Sequence, residues 1–145
     1  MMALQRGGSV RLVVDANVFI SAFLKDGMSR RIILDRRLEL YAPEFLLQEY
    51  TKYSAELFVR SGLPREKALR LAVLLLSRIH FVTEGELIPY KEAAKHLTTD
   101  SKDEAYVACA LAVGSDLWSR DRHLRQPRLR CWATEELAEK LFGNG

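Results

Sequence analysis

Five short apolar runs, each separated from the next by segments with helical start and stop signals, constrain this chain more than any other feature. Val10-Arg11-Leu12-Val13-Val14 is rich in β-branched residues and reads as a strand. Further strands are predicted over 38–42, 79–83, 116–119 and 129–133. Asn17 opens a helix over 18–25, which Asp26-Gly27 closes. Ser29 is placed to cap a second helix over 30–37. Pro43 suits the first turn of a helix reaching about residue 60, Ser61-Gly62 breaks it, and Pro64 starts another to about residue 78. A short helix is predicted over 89–97. Thr98-Thr99-Asp100 then signals the start of a helix that covers 104–113 and stops at Gly114. Thr134 caps the last helix, with Glu135 and Glu136 in its first turn, where carboxylates are favoured. Strands that alternate with helices in this way predict an α/β sandwich with a parallel sheet.

A length of 145 residues with no linker fits one domain over 1–145, large enough to bury a core without staples. With 48% hydrophobic and 28% charged residues the chain is not of the disordered class. Cys109 and Cys131 lack metal-binding spacing and read as buried reduced thiols. Residues 1–9 hold no apolar segment of the signal-peptide type, and the most apolar run, 69–76, is interrupted by Arg70 and is too short to span a bilayer. No membrane is therefore expected, and the location expected is the cytoplasm. The net charge of +3 carries meaning only if the basic residues cluster near a chemical site.

In open parallel sheets, ligands bind beyond the carboxyl ends of the strands. Asp15 ends the first strand and Asp121 lies just past the fourth. Asp103 falls in the first turn of the helix that feeds the fourth strand, and Glu49 lies one to two turns into the helix after the second. Each has a bland reading: Asp15 and Asp121 as turn caps, Glu49 as a solvated helix charge, Asp100 and Asp103 as a cap and its third residue. Asp100 is assigned to capping and Asp103 to the site. Four carboxylates on one rim repel, by about 4 kcal/mol for a pair ~4 Å apart at an effective dielectric near 20. Such a cluster traps protons or binds cations. With no histidine or thiolate cluster, oxygen-only ligation points to Mg²⁺ or Mn²⁺, a device suited to phosphodiester hydrolysis.

Three segments carry a family resemblance. Val13-Val14-Asp15-Ala16-Asn17-Val18-Phe19-Ile20 resembles the opening D-x-N motif of PIN domains. Ser101-Lys102-Asp103-Glu104-Ala105-Tyr106-Val107-Ala108-Cys109-Ala110 resembles their central K-D motif on an Ala-rich helix. Leu117-Trp118-Ser119-Arg120-Asp121-Arg122-His123-Leu124 resembles their closing motif, although Trp118 is bulkier than the usual aliphatic residue. The resemblance implies a three-layer sandwich with a five-stranded parallel sheet of order 3-2-1-4-5. It implies that Asp15, Glu49, Asp103 and Asp121 surround a metal ion, with Asn17 and Ser119 supporting the site by hydrogen bonds. It implies metal-dependent hydrolysis of RNA, expected to be single-stranded, leaving a 5′-phosphate and a 3′-hydroxyl.

An acidic pocket that takes nucleic acid needs a basic surround. Arg120 and Arg122 flank Asp121 and are the RNA-binding candidates, with Arg125, Arg128 and Arg130 nearby; Arg30, Arg31, Arg36 and Arg37 form a second group that a solvated surface explains as well. His80 and His96 read as structural, and Tyr50, Tyr53 and Trp132 as packing residues. Phe45, Leu46, Leu47, Leu57, Phe58, Leu71, Val73, Leu74, Leu75 and Leu76 exceed what one sheet face needs, which predicts a homodimer. The chain is also similar to VapC-type toxins of toxin–antitoxin pairs, which implies a small antitoxin partner; a free-standing relative stays open. Two other readings compete. One is a non-catalytic RNA-binding or scaffold member of the same fold. The other is a phosphoryl-transfer domain, against which Asn17 stands where a second Asp would be wanted.

Overall fold

A computed structural model describes residues 10–120 and 129–143. The elements run β1 (Val10–Val14), α1 (Ala16–Leu24), α2 (Met28–Ile33), β2 (Leu38–Pro43), α3 (Glu44–Ser61), α4 (Arg65–Ser77), β3 (Ile79–Val82), α5 (Glu84–Leu87), a 3₁₀ turn (Ile88–Tyr90), α6 (Lys91–Leu97), α7 (Ser101–Val113), β4 (Asp116–Trp118), β5 (Cys131–Trp132) and α8 (Thr134–Phe142). The five strands form one parallel sheet of order β3-β2-β1-β4-β5, as the family resemblance implies.

The central strand explains the layering. Successive side chains of a strand point to opposite faces. Leu12, Val13 and Val14 all have no measurable exposure, so both faces of the sheet are covered. That is the arrangement a parallel sheet requires. The helices pack in two groups, with α1 against α2, α3 and α4, and α7 against α5 and α6. On the first group, Val18, Phe19, Ala22 and Phe23 of α1 are buried; on the second, Val107, Ala108, Cys109 and Ala110 of α7.

Several boundaries differ from the sequence expectation, each for a local reason. Asp15 rather than Asn17 caps α1, its side chain accepting the Asn17 N–H. Gly27 precedes α2, and Ser29 lies inside it. This helix stops at Ile33 instead of Arg37 because Asp35 takes over the chain: its carboxylate accepts the Arg37 N–H at 2.9 Å, and its carbonyl accepts Leu38 N–H. Pro43 ends β2 and sits before α3 rather than within its first turn. Pro89 falls in the 3₁₀ turn, ahead of α6. Ala133 precedes α8, its N–H satisfied by the Glu136 carboxylate at 2.9 Å, so Thr134 is the first helical residue and not the cap. The short α5, not anticipated in the sequence, starts at a reciprocal capping box formed by Thr83 and Glu86. Gly114 ends α7 with φ 72°, a left-handed conformation that glycine adopts at no steric cost.

Trp118 fits without disturbing the sheet. It is fully buried, and its indole N–H donates to Thr134 Oγ1 at 3.1 Å, which ties β4 to the start of α8. Cys109 and Cys131 are both buried and neither forms a disulfide; burial pushes the Cys109 thiol up to about 12.

Arg78, just past α4, locks the far edge of the molecule. Its guanidinium donates to the carbonyls of Ile33 at 3.1 Å and Asp35 at 3.0 Å, closing the turn between α2 and β2. Arg78→Met keeps the aliphatic stem and strands those carbonyls. We expect a loss of about 2 kcal/mol in urea unfolding, the scale of charge-assisted hydrogen bonds. A loss below about 0.5 kcal/mol, the level of ordinary surface substitutions, would show that this clamp adds nothing to stability.

Candidate active site

In the strand order, β1 lies between β2 and β4, so the chain turns one way from β1 to β2 and later returns to its other side. The crevice at such a reversal, beyond the carboxyl ends of the strands, is the place where open α/β sheets bind ligands. Asp15 follows β1 and Ser119 follows β4 in adjacent positions, since Val14 pairs with Trp118. Asp15 N–H donates to the Trp118 carbonyl at 3.1 Å. Asp15 is only 6% exposed. One of its oxygens accepts the Asn17 N–H at 3.0 Å, and the other accepts the Ser119 hydroxyl.

Asp103 comes to the same crevice from α7. Asp100 caps that helix, accepting Lys102 N–H at 2.9 Å, which leaves Asp103 in the first turn, 8% exposed. Glu49 arrives from the second turn of α3, half-buried. Asp15, Glu49 and Asp103 line one cavity of about 340 Å³, together with Asn17, Lys102 and Tyr106. The Tyr106 hydroxyl reports the resulting field. It is buried and has no hydrogen-bond partner among the described residues. Burial, and then the negative charges of Asp15, Glu49 and Asp103, hold its pKa well above the usual tyrosine range. This central tyrosine was not singled out from the sequence. Its spacing of three from Asp103 on one helix was the available signal.

Whether these residues fit a metal is a question of donor chemistry. Asp15, Glu49 and Asp103 supply only hard oxygen ligands, which suit Mg²⁺ or Mn²⁺ and not a zinc-type site. Among the described residues, no three Asp, Glu, His or Cys side chains gather tightly enough to wrap an ion by themselves. Mg²⁺ typically takes one or two carboxylates and keeps several waters. The cleft therefore fits an ion held partly through water.

The remaining site candidates divide. Asn17 contributes its backbone N–H to Asp15, and its side chain stands exposed at the cavity wall. Ser119 is buried and holds Asp15. Asp121, Arg122, His123, Arg125 and Arg128 lie outside the described residues. Arg120 lines a separate hollow of about 220 Å³ with Ser21, Lys25 and Ser29, not the carboxylate cleft. The second arginine group is largely structural: Arg30 donates to the Ala22 and Phe23 carbonyls at the end of α1, Arg31 stacks 3.8 Å over Phe142, and Arg37 pairs with Asp35 at 2.8 Å. Trp132 is buried with Arg130 over its ring, Tyr50 packs edge-on to Phe19, and Tyr41 lies against His80. Tyr53, read as a packing residue, is 41% exposed and lines the cleft.

This geometry, a doubly covered parallel sheet with acidic residues at its switch point, defines an α/β domain of the PIN type. The sequence matches the PIN domain family over residues 13–142, and the chain belongs to that family, whose members are in general nucleases. Among solved structures, the fold is similar to VapBC2 from Rickettsia felis, crystallised bound to a DNA fragment from its promoter. The TM-score is 0.66 at 15% identity, over 86% of this chain and 98% of that one. No curated protein matches the sequence significantly.

Tyr106 gives the site a measurable pH signature. Its folded pKa is raised, so the folded chain keeps a proton that the unfolded chain releases near pH 10. This contribution to stability is complete below about pH 10 and is lost as pH rises above it. Tyr106→Phe should flatten the alkaline loss of stability in urea unfolding, while stability at neutral pH changes by less than about 1 kcal/mol, since no described partner is stranded. Tyr50 and Cys109, both raised by burial, contribute to the slope that remains. An alkaline slope unchanged in the variant would place Tyr106 outside the carboxylate field.

Proposed function

We propose that this chain is a metal-dependent ribonuclease acting on single-stranded RNA, and that the whole chain, 1–145, is one nuclease domain working in the cytoplasm. The observation that carries the reading is the convergence of Asp15, Glu49 and Asp103 on one cleft at the switch point, two of them nearly buried. Asp15, Asp103 and Asp121 would hold Mg²⁺ or Mn²⁺, directly or through water, with Glu49 as a further ligand or as the group that orients the attacking water. When bound, such an ion lowers the pKa of that water and balances charge that builds on the phosphate.

The chain's own residues do the rest. Ser119 and the Asn17 N–H fix both oxygens of Asp15, so its carboxylate is oriented before substrate arrives. Glu49, half-buried and on the opposite helix, can accept a proton from water entering the cleft. Arg120, from its separate hollow, and Arg122 would hold phosphates of the bound strand. The products would be a 5′-phosphate and a 3′-hydroxyl.

We read the chain further as the toxin of a toxin–antitoxin pair, with a small antitoxin protein as partner. The fold likeness to a VapBC complex supports this. Homodimerisation belongs to the same reading. Most of the apolar residues first credited to an interface are core: Leu46, Leu57 and Leu75 are buried, and Phe45, Phe58 and Leu71 pack against them. The support comes instead from exposed Val59, Leu69, Val73 and Leu74 on α3 and α4.

Purified protein should cleave single-stranded RNA in Mg²⁺ or Mn²⁺, and EDTA should abolish cleavage. Asp15→Asn, Asp103→Asn and Asp121→Asn should each lower the rate at least about a hundredfold, on the scale of losing one electrostatic stabiliser. Full activity in EDTA would refute the metal; a folded, fully active variant would remove that residue from the site. An inert wild type that still binds RNA would favour the non-catalytic reading. Light scattering at micromolar concentration should give twice the 16.6 kDa chain mass, reverting to a monomer in Val73→Lys. A monomer in the wild type would refute the dimer.

A further inference from the structure

A second cavity of about 240 Å³ adjoins the carboxylate cleft, and Phe45 lines both. The two share more than that ring. Glu49 and Asp103 line the cleft, while their chain neighbours Gln48 and Glu104 line the second cavity. Consecutive residues of α3 and α7 thus face adjoining spaces.

The lining of the second cavity is of two kinds. Pro43, Phe45 and Leu87 supply apolar surface. Gln48 and Glu104 supply polar groups that have no hydrogen-bond or ion partner among the described residues. The other charged groups there are committed to one another: Glu44 accepts the Glu84 N–H at 3.0 Å, and Glu84 pairs with Lys91 at 3.0 Å. An apolar slot with an uncommitted amide and an uncommitted carboxylate is unsuited to phosphate, which the carboxylate repels. It suits a flat ring with apolar faces and a polar edge, the form in which unstacked bases of single-stranded RNA are recognised.

We propose that this cavity is the base-selecting subsite of the nuclease, that its ligand is the nucleobase flanking the scissile phosphate, and that Glu104 and Gln48 select guanine. This rests on the reading of the cleft as a ribonuclease site. A carboxylate accepts and cannot donate, so it favours the base edge with two adjacent donors. Guanine offers these in its N1–H and N2 amino group, with the O6 acceptor beside them for the Gln48 amide. Adenine and cytosine offer a single amino group on that edge, and uracil a lone N–H.

The test separates base selection from catalysis. The Asp15→Asn variant, in which cleavage should be lost, is titrated with short single-stranded oligouridylates that carry one central G, A, C or inosine, read by fluorescence anisotropy. The G oligonucleotide should bind about tenfold tighter than the A and C ones, within the range of a bidentate base contact. Inosine, which lacks the N2 amino group, should lose most of that advantage. Adding Glu104→Gln should level the series, and Gln48→Ala should narrow it. Equal affinities across the series, or a guanine preference that survives Glu104→Gln, would overturn the subsite. If the guanine preference is present but the wild type cleaves no RNA in Mg²⁺ or Mn²⁺, the nuclease reading fails and the base subsite stands.

Discussion

The contact on which the site depends is the hydrogen bond from Ser119 to Asp15 across the carboxyl ends of β4 and β1. Burying a carboxylate is costly unless its oxygens are satisfied. Here Ser119 satisfies one oxygen and the Asn17 N–H the other. The same Asp15 caps α1, whose N-terminus favours negative charge, and its own N–H continues the sheet by donating to Trp118. Strand pairing, helix placement and carboxylate orientation thus meet in one residue. A shift of β4 relative to β1 would undo all three together.

A parallel division of labour holds at α7. The segment from Asp100 to Glu104 carries three acids within five residues, and they do different work. Asp100 satisfies the helix N-terminus. Asp103 turns into the cleft, and Glu104 lies on the far side of the wall that Phe45 caps. Asp100 borders the same cleft as Asp103, whereas the helix period separates Asp103 from Glu104: neighbouring residues on a helix stand about 100° apart and do not face one another. Phe45 and Tyr106, edge-on with ring centres 6.1 Å apart, fix α3 against α7 where the two cavities join.

Much of this was legible in the sequence, because strand-end and cap positions follow from short-range rules. Asp15 was placed by the end of a β-branched run, and Asp100 and Asp103 by capping geometry. Asn17 was misplaced by two residues as a helix start, because Asp and Asn are nearly equal caps and only the structure shows which one precedes the helix. The end of α2 was overestimated because the Asp35 turn competes with helical continuation, a contest that Arg78, 43 residues away, settles through its bond to the Asp35 carbonyl. Tyr106 and the Gln48–Glu104 pair were harder to see. Their surroundings come from α3, α5 and α7, and no periodicity in one segment reports contacts between three. The surplus of leucines on α3 and α4 misled for the opposite reason: Leu46, Leu57 and Leu75 look amphipathic in sequence but are absorbed by packing against β2, α1 and each other.

The distribution of arginines sharpens what the surface can contribute. Of the group at 30–37, Arg30 is bonded to the end of α1, Arg31 is spread over Phe142, and Arg37 is paired with Asp35. The donors of Arg30 and Arg37 are spent on holding these elements in place, so those two make poor directional contacts with phosphate. Arg120 and Lys25 line a hollow apart from the carboxylate cleft, which has Lys102 among its own lining residues. A strand of nucleic acid crossing the N-terminus of α1 would therefore meet basic surface on one side and acidic surface on the other. Contacts with bases would add to the phosphate contacts of such a strand, which is the work an apolar slot beside the carboxylates can do.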